Sequence, residues 1–224
     1  MNIFALDASG PCAGAALWQD GEITHEIEAR HGLTHSQTLM PMADSIFEAA
    51  GLSPRDIDLF ACVTGPGSFT GVRIGVCAAR GLAHGAGKKC LALDALECLA
   101  AGMWGYPGVV APILDARRGQ VYCAAFQNGQ RILPDDALPL SEFVEKLPAG
   151  PALFLGDGVA AHHDALVSML GDRALFAPCH MRFIRSSAAC FLAAQRLDEA
   201  VEPEALLPLY LRAPQAEREK HARD

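Results

Sequence analysis

"LDASGPCAGAALWQDGE" (Leu6–Glu22) and "LDARRGQVYCAAFQNGQ" (Leu114–Gln130) lie on one another without a gap. Leu6, Asp7, Ala8, Ala16, Gln19 and Gly21 meet identical residues at Leu114, Asp115, Ala116, Ala124, Gln127 and Gly129, and Trp18 meets Phe126. In both copies an apolar run ends on an aspartate, and a second run ends on an aromatic residue ahead of Asp-Gly or Asn-Gly. Those dipeptides favour two-residue hairpin turns, whose central positions need positive φ. Each copy therefore predicts a strand, an aspartate, a second strand, a tight turn and a returning strand. Chance likeness of two hairpins is one account; duplication of a strand–hairpin–helix unit is the other.

Reading outward, Ile3–Leu6, Ala13–Trp18 and Ile23–Ile27 are predicted strands. In "HSQTLMPMADSIFEAAG" the residues Leu39, Met42, Ala43, Ile46, Phe47 and Ala50 recur at helical spacing, and Gly51 supplies the stop. Pro41 inside that pattern predicts a kink or a start. "SPRD" reads as an N-cap with proline at the first helical position. Leu59–Thr64 is a strand, and a helix runs from about Ser68 to His84. "LGDGVAA" (Leu155–Ala161) reads as a strand-to-helix turn or an adenosine-binding turn, and Pro134–Pro151 as loop plus one short helix.

Two such units in tandem are the layout of the actin-like ATPase fold. The predicted class is α/β, with two ribonuclease H-like (ASKHA) lobes of mixed sheets flanked by helices. Their expected extents are 1–107 and 108–224, with the C-terminal tail packing back on the first lobe. In that architecture nucleotide lies between the halves, two aspartates hold magnesium or its waters, and hairpin amides wrap the phosphates.

Composition bounds the function. A net charge of −8 excludes a chain that binds nucleic acid unaided, since phosphate contacts require a basic face. The eight cysteines form no C-x-x-C pair, which leaves no zinc-knuckle or thioredoxin-like spacing, and several, such as Cys62, sit in apolar runs as core residues. The first residues lack the basic n-region of a signal peptide, and no apolar run reaches membrane-spanning length. A cytoplasmic chain with reduced thiols is expected.

The duplication suggests an ATP-dependent enzyme, but the residues oppose it. A phosphate cradle needs small residues so that the backbone can come close. Asp7 is followed by Ala8, Ser9 and Gly10, whereas Asp115 is followed by Ala116, Arg117 and Arg118. Asp7, Ser9 and Asp115 are the candidate nucleotide contacts, with self-sufficient turnover not expected. "TGPGSFTGVRIGV" (Thr64–Val76) is not a P-loop, because no lysine follows Gly71. His31 and His35 have the spacing of a metal pair without a third ligand nearby, and His162 and His163 diverge as neighbours. No hydrolase motif is present.

Glycine inside a helix costs roughly 1 kcal/mol relative to alanine, so Gly71 and Gly75 together cost roughly 2 kcal/mol. A compensating contact is required. Gly71, Ile74, Gly75, Ala78, Ala79 and Leu82 share a small-residue face that lets another element approach closely. The alternatives are a partner helix or the chain's own sheet. In the partner case the Leu39–Ala50 helix is its neighbour, and leucine at Gly75 is expected to block pairing without unfolding the monomer.

"ALDAS", "HSQTLMP", "GPGSFTGVRIGV", "ILDARRGQVY" and "PLYLR", in this order from Ala5 to Arg212, resemble the TsaB (YeaZ) family. Ala8 departs from the family's usual threonine. The resemblance implies a non-catalytic scaffold that pairs with TsaD, its catalytic paralogue, for threonylcarbamoyl transfer to the adenosine beside the anticodon of tRNAs reading codons that begin with A. It implies TsaE as a further partner, a homodimer when alone, tRNA contact only through the complex, and no membrane. It implies no cofactor or metal held by this chain itself, with ATP or ADP and magnesium belonging to the assembled complex. TsaD relatives carry a metal-binding H-x-x-x-H, whereas "LALDALEC" (Leu91–Cys98) has no histidine, which also opposes a metallopeptidase. The two first-half helices are the implied partner surface, through Leu39, Met40, Ala43, Phe47, Gly71, Ile74, Gly75 and Ala78. The rival reading is a stand-alone actin-like ATPase or phosphotransferase.

Overall fold

The computed structural model describes residues 1–30, 32 and 34–212. Its first sheet holds β1 (Asn2–Asp7), β2 (Ala13–Gln19), β3 (Glu22–Ala29), β4 (Leu59–Gly65) and β5 (Lys89–Asp94), in the order β3-β2-β1-β4-β5. The second holds β6 (Val109–Asp115), β7 (Gln120–Gln127), β8 (Gln130–Pro139), β9 (Ala152–Leu155) and β10 (Ala174–Phe176), in the order β10-β9-β6-β7-β8. The plan is the same in both: a three-stranded antiparallel meander, then two strands added parallel to its first member. Both predicted tight turns form, with positive φ at Asp20 and Gly21 and again at Asn128 and Gly129. The duplicated α/β architecture read from the two aligned stretches is the architecture observed.

Five layers result. Along β1 the side chains alternate, Phe4 and Leu6 toward one face and Ile3 and Ala5 toward the other. The first face packs under α1 (His35–Ala50) and α2 (Phe69–Ala86). The second meets a middle layer of α3 (Ala95–Ala101) and α6 (Ser186–Ala194), whose far side covers Val110, Leu114 and Phe126 of the second sheet. The outer face of that sheet is covered by α4 (Leu140–Lys146) and α5 (Gly158–Leu170). Strands buried on both faces cannot alternate polar with apolar, which is why β1 and β4 read as continuous hydrophobic runs. Cys62, Cys90, Cys98, Cys123 and Cys190 are buried as thiols, while Cys77 and Cys179 are exposed.

Several boundaries differ from the sequence reading. α1 begins at His35, ahead of Pro41, which sits inside the helix; the Ser45 hydroxyl donates to the Pro41 carbonyl at 2.8 Å. "SPRD" closes a single 3₁₀ turn, with the Ser53 amide and hydroxyl both donating to Asp56 Oδ2. "LGDGVAA" is the turn from β9 into α5. Residues 134–139, expected as loop, extend β8. Pro134 is tolerated there because β8 is an edge strand and its pairing with β7 is irregular between Cys123 and Ala125. No helix among the described residues is long and apolar enough to cross a membrane.

The middle layer crosses between the two halves of the chain. α6 comes from the second half yet lies on the first sheet, where the Cys190 sulfur reaches the Ile3 and Ala16 carbonyls. Its N-terminus is held by two glutamates of β3, whose carboxyl oxygens accept the exposed amides of the helix start. The Ser187 amide donates to Glu26 at 2.9 Å and the Ser186 amide to Glu28 at 2.6 Å, while Arg185 pairs with Glu26. Glu28 Oε2 is sealed from solvent with no partner among the described residues. Burial pushes the Glu28 carboxyl up from 4.5 to about 8, against the opposing pull of the Ser186 amide.

Between those two values the folded chain keeps a proton that the unfolded chain has released. Its contribution to stability is therefore complete below about 4.5 and is lost as pH rises through about 8. Glu28→Gln, which stays neutral, is expected to flatten the decline in melting temperature between pH 5 and pH 8 and to melt higher than the parent at pH 8.5. Scanning calorimetry across that range checks it; parallel pH profiles for the two proteins would refute the assignment.

Candidate functional site

The turn that follows β1 is seated directly on the start of α2. The Ser68 amide donates to the Ser9 carbonyl at 2.7 Å. At Gly67 an added Cβ would overlap the Ser9 carbonyl oxygen, and at Gly71 it would overlap that of Ala8. The Ser68 hydroxyl caps α2 by accepting the Gly71 amide at 3.2 Å. From the other side the His35 Nε2–H donates to the Gly10 carbonyl at 2.8 Å. "ALDAS", "HSQTLMP" and "GPGSFTG", far apart in sequence, thus converge on one turn, Ala8–Gly10. Of the two histidines with metal-pair spacing, His35 serves this hydrogen bond and His31 lies outside the described residues.

Asp7 is folded inward by the same turn. Its Oδ1 accepts the Ser9 amide at 2.8 Å and the Ser9 hydroxyl at 2.7 Å, and its side chain is 1% exposed. Burial nevertheless raises its carboxyl above the usual aspartate range. In the second half Asp115 accepts the Arg117 amide at 2.8 Å, and its own amide donates to Asp157 Oδ1 at 3.0 Å. Asp157 is raised in turn by burial. Arg117 and Arg118 both stand at positive φ, 66° and 55°, a region that costs an L-residue roughly 1–2 kcal/mol. The amide given to Asp115 helps offset that cost.

Between the two turns lies a cleft of about 450 Å³ lined by Ser9, Ser68, Asp115, Arg117, Tyr210 and Arg212 among others. Hydroxyls and guanidinium groups suit an anion. The two aspartates do not suit a shared magnesium ion, because Asp7 lies outside this lining with Oδ1 committed to Ser9, and Asp115 is tied to Arg117. Among the described residues no cluster of three His, Cys, Asp or Glu side chains could hold a metal ion.

One wall of the cleft comes from the C-terminal segment, which was expected against the first lobe but not as part of a site. The segment after α6 pairs Val201 with Cys90 at the edge of β5, buries Leu206 beside α2, and passes the end of β4, where the Leu209 amide donates to Thr64 at 2.8 Å. It then stacks Tyr210 on Phe69, with ring centroids 5.0 Å apart. "PLYLR" therefore touches "GPGSFTG". The available signal was an aromatic residue among exposed apolar ones, which has no periodicity to announce a contact.

The implied partner surface separates into two sets. Leu39, Ala43 and Phe47 of α1 are buried in the first lobe, Phe47 stacking on Phe4 at 4.5 Å. Gly71 and Gly75 of α2 face β1 and β4; a Cβ at Gly75 would stand 3.5 Å from the Cys62 sulfur and 3.7 Å from the Ala8 Cβ. These five serve the chain's own core. Leucine at Gly75 therefore challenges the fold itself, contrary to the expectation of an intact monomer. Met40, Ile74 and Ala78 are only half-buried, and Ile74 lines a groove with exposed Thr70, Arg73 and Cys77.

A family model described as TsaD, tRNA N6-adenosine threonylcarbamoyltransferase, matches residues 26–220. The tRNA threonylcarbamoyladenosine biosynthesis protein TsaB of Bacillus subtilis (strain 168) is 34% identical over 223 residues, which span 97% of this chain and 96% of that protein. TsaB of Escherichia coli (strain K12) is 39% identical over 132 residues, 58% of this chain and 57% of that one. Among solved structures, YeaZ from Pseudomonas aeruginosa superposes with a TM-score of 0.78 at 28% identity, covering 94% of this chain and 99% of that one.

Two alanine substitutions separate the roles of the α2 glycines. Gly71→Ala is expected to destabilise the chain by about 1–3 kcal/mol through overpacking against Ala8. Gly81→Ala, with open space around it, is expected to stabilise by up to about 1 kcal/mol. Urea denaturation monitored by circular dichroism measures both, and equal effects would contradict the seating of the turn on the helix.

Proposed function

The chain belongs to the TsaB family, and we propose that it is the non-catalytic subunit of a tRNA threonylcarbamoyladenosine biosynthesis complex, docking a TsaD-type transferase through the outer side of α1 and α2. The observation that carries this reading is the closure of both turns. An actin-like phosphotransferase aims its hairpin amides at phosphate. Here the Ser9 amide is spent on Asp7 and the Arg117 amide on Asp115. Bond-making then falls to the partner, which places the threonylcarbamoyl group on the adenosine beside the anticodon.

The TsaD family model spans most of this chain, so the partner is built on a related plan. Two chains of one plan pair naturally about a pseudo-twofold axis, each presenting the same helix pair. That geometry also admits a second copy of this chain on the same face when TsaD is absent. The β5–α3 stretch Leu91–Cys98 carries no histidine, which supports assigning the metal to TsaD. Nucleotide and magnesium likewise belong to the assembled complex, with TsaE as its further member. The acidic chain meets tRNA through its partners, because a net charge of −8 repels phosphate.

Cys77→Arg places a long cation on the exposed side of α2 without entering the core. It is expected to abolish co-purification with TsaD and to deplete threonylcarbamoyladenosine in tRNA digests, while the melting temperature of the isolated chain stays within about 2 °C of the parent. Asp115→Asn is expected to leave tRNA modification within about twofold, whereas removal of a catalytic carboxylate costs about 10⁴-fold. A deep loss with Asp115→Asn and intact pairing would place chemistry in the cleft and end the scaffold reading.

A further inference from the structure

Arg73 stands on the open side of α2 and is held in place by two aromatic residues. Its Nε donates to the Tyr210 hydroxyl at 2.9 Å, and its guanidinium carbon lies 3.9 Å from the centroid of the Phe69 ring. Phe69 stacks in turn on Tyr210, with the ring planes 28° apart. Tyr210 is delivered there by Leu209, whose amide is anchored on Thr64 at the end of β4. An exposed arginine on a helix ordinarily samples many rotamers and loses about 2 kcal/mol of side-chain entropy when a partner fixes it. Here much of that loss has already been met within the free chain.

What remains available is directional. Nε is taken by Tyr210 and one face of the guanidinium by Phe69, while the two terminal nitrogens make no hydrogen bond among the described residues. Beside them opens a groove of about 310 Å³ lined by Phe69, Thr70, Arg73, Ile74 and Cys77. Its floor is mostly apolar and its outer side is open, so the covering that would strengthen an ion pair at its edge has to come from the docked partner. Paired N–H donors on a planar fork match a carboxylate bidentately, and an ammonium group does not reproduce that match.

We propose that Arg73, positioned by Tyr210 and Phe69, is the anchor by which this chain grips an acidic side chain of its TsaD-type partner. The proposal rests on the reading of the outer α1–α2 side as the docking surface. It assigns Tyr210, from the far end of the sequence, to the partner interface as a positioning residue. It also makes association sensitive to salt at one identified residue.

The test is titration calorimetry of the full chain against purified TsaD at 50 mM and 300 mM NaCl. Arg73→Ala is expected to weaken binding at least tenfold at low salt and to flatten the salt dependence. Arg73→Lys is expected to fail to restore affinity. Tyr210→Phe, which keeps the ring and loses the hydroxyl, is expected to weaken binding several-fold with no change in melting temperature. If Cys77→Arg abolishes binding while Arg73→Ala and Tyr210→Phe bind like the parent, the anchor is refuted and the docking surface stands. If all three bind like the parent, the docking surface falls and the anchor falls with it. Weaker binding by Arg73→Ala with an unchanged salt dependence also overturns the carboxylate assignment.

Discussion

The close seating of the Ala8–Gly10 turn on the first residues of α2 is the constraint from which the site follows. Two carbonyl oxygens occupy space that side chains at Gly67 and Gly71 would need. Because the backbones touch, the Ser68 amide can bond to Ser9 and the Ser9 amide can fold back on Asp7. The same contact sets the height of α2 above β1 and β4, and so determines which of its residues face outward. At Gly71 the roughly 1 kcal/mol that a glycine costs a helix is offset by this close approach.

That contact also accounts for what the cleft lacks. In an actin-like fold the turns after the first strand of each lobe present amides to phosphate. In this chain each turn turns its amide onto the aspartate beside it, and burial raises the Asp7 and Asp157 carboxyls above the usual aspartate range. The cleft keeps hydroxyls and arginines, which suit an anion. The geometry is that of an actin-like frame whose hairpin amides are turned inward.

The middle layer ties the two lobes into one body. α6 leaves the second half of the chain to lie on the first sheet, with Glu26 and Glu28 gripping its N-terminus. The strap that follows it carries Leu206 into the core beside α2 and Tyr210 onto Phe69. The outer side of α2 is consequently shaped by residues from both ends of the sequence. A surface assembled this way is sensitive to changes in either lobe.

The duplication, the two hairpins and the buried strands were legible in the residues, because turn chemistry and alternating hydrophobicity are local properties. So was the suggestion of close packing on the Gly71–Gly75 face, because both glycines fall on one side of the helix. Which surface they face was not legible. Leu39, Ala43 and Phe47 follow the same helical spacing whether they meet a partner or their own sheet, and spacing along one helix carries no information about what lies opposite. The Arg73–Phe69–Tyr210 stack is of the same kind: Phe69 and Arg73 are neighbours on one helix, but Tyr210 lies 137 residues from Arg73, and no local preference encodes its arrival. Local chemistry set the elements; the choice of faces and the assembly of the outer surface came from packing, where long-range contacts compete for the same apolar stripe.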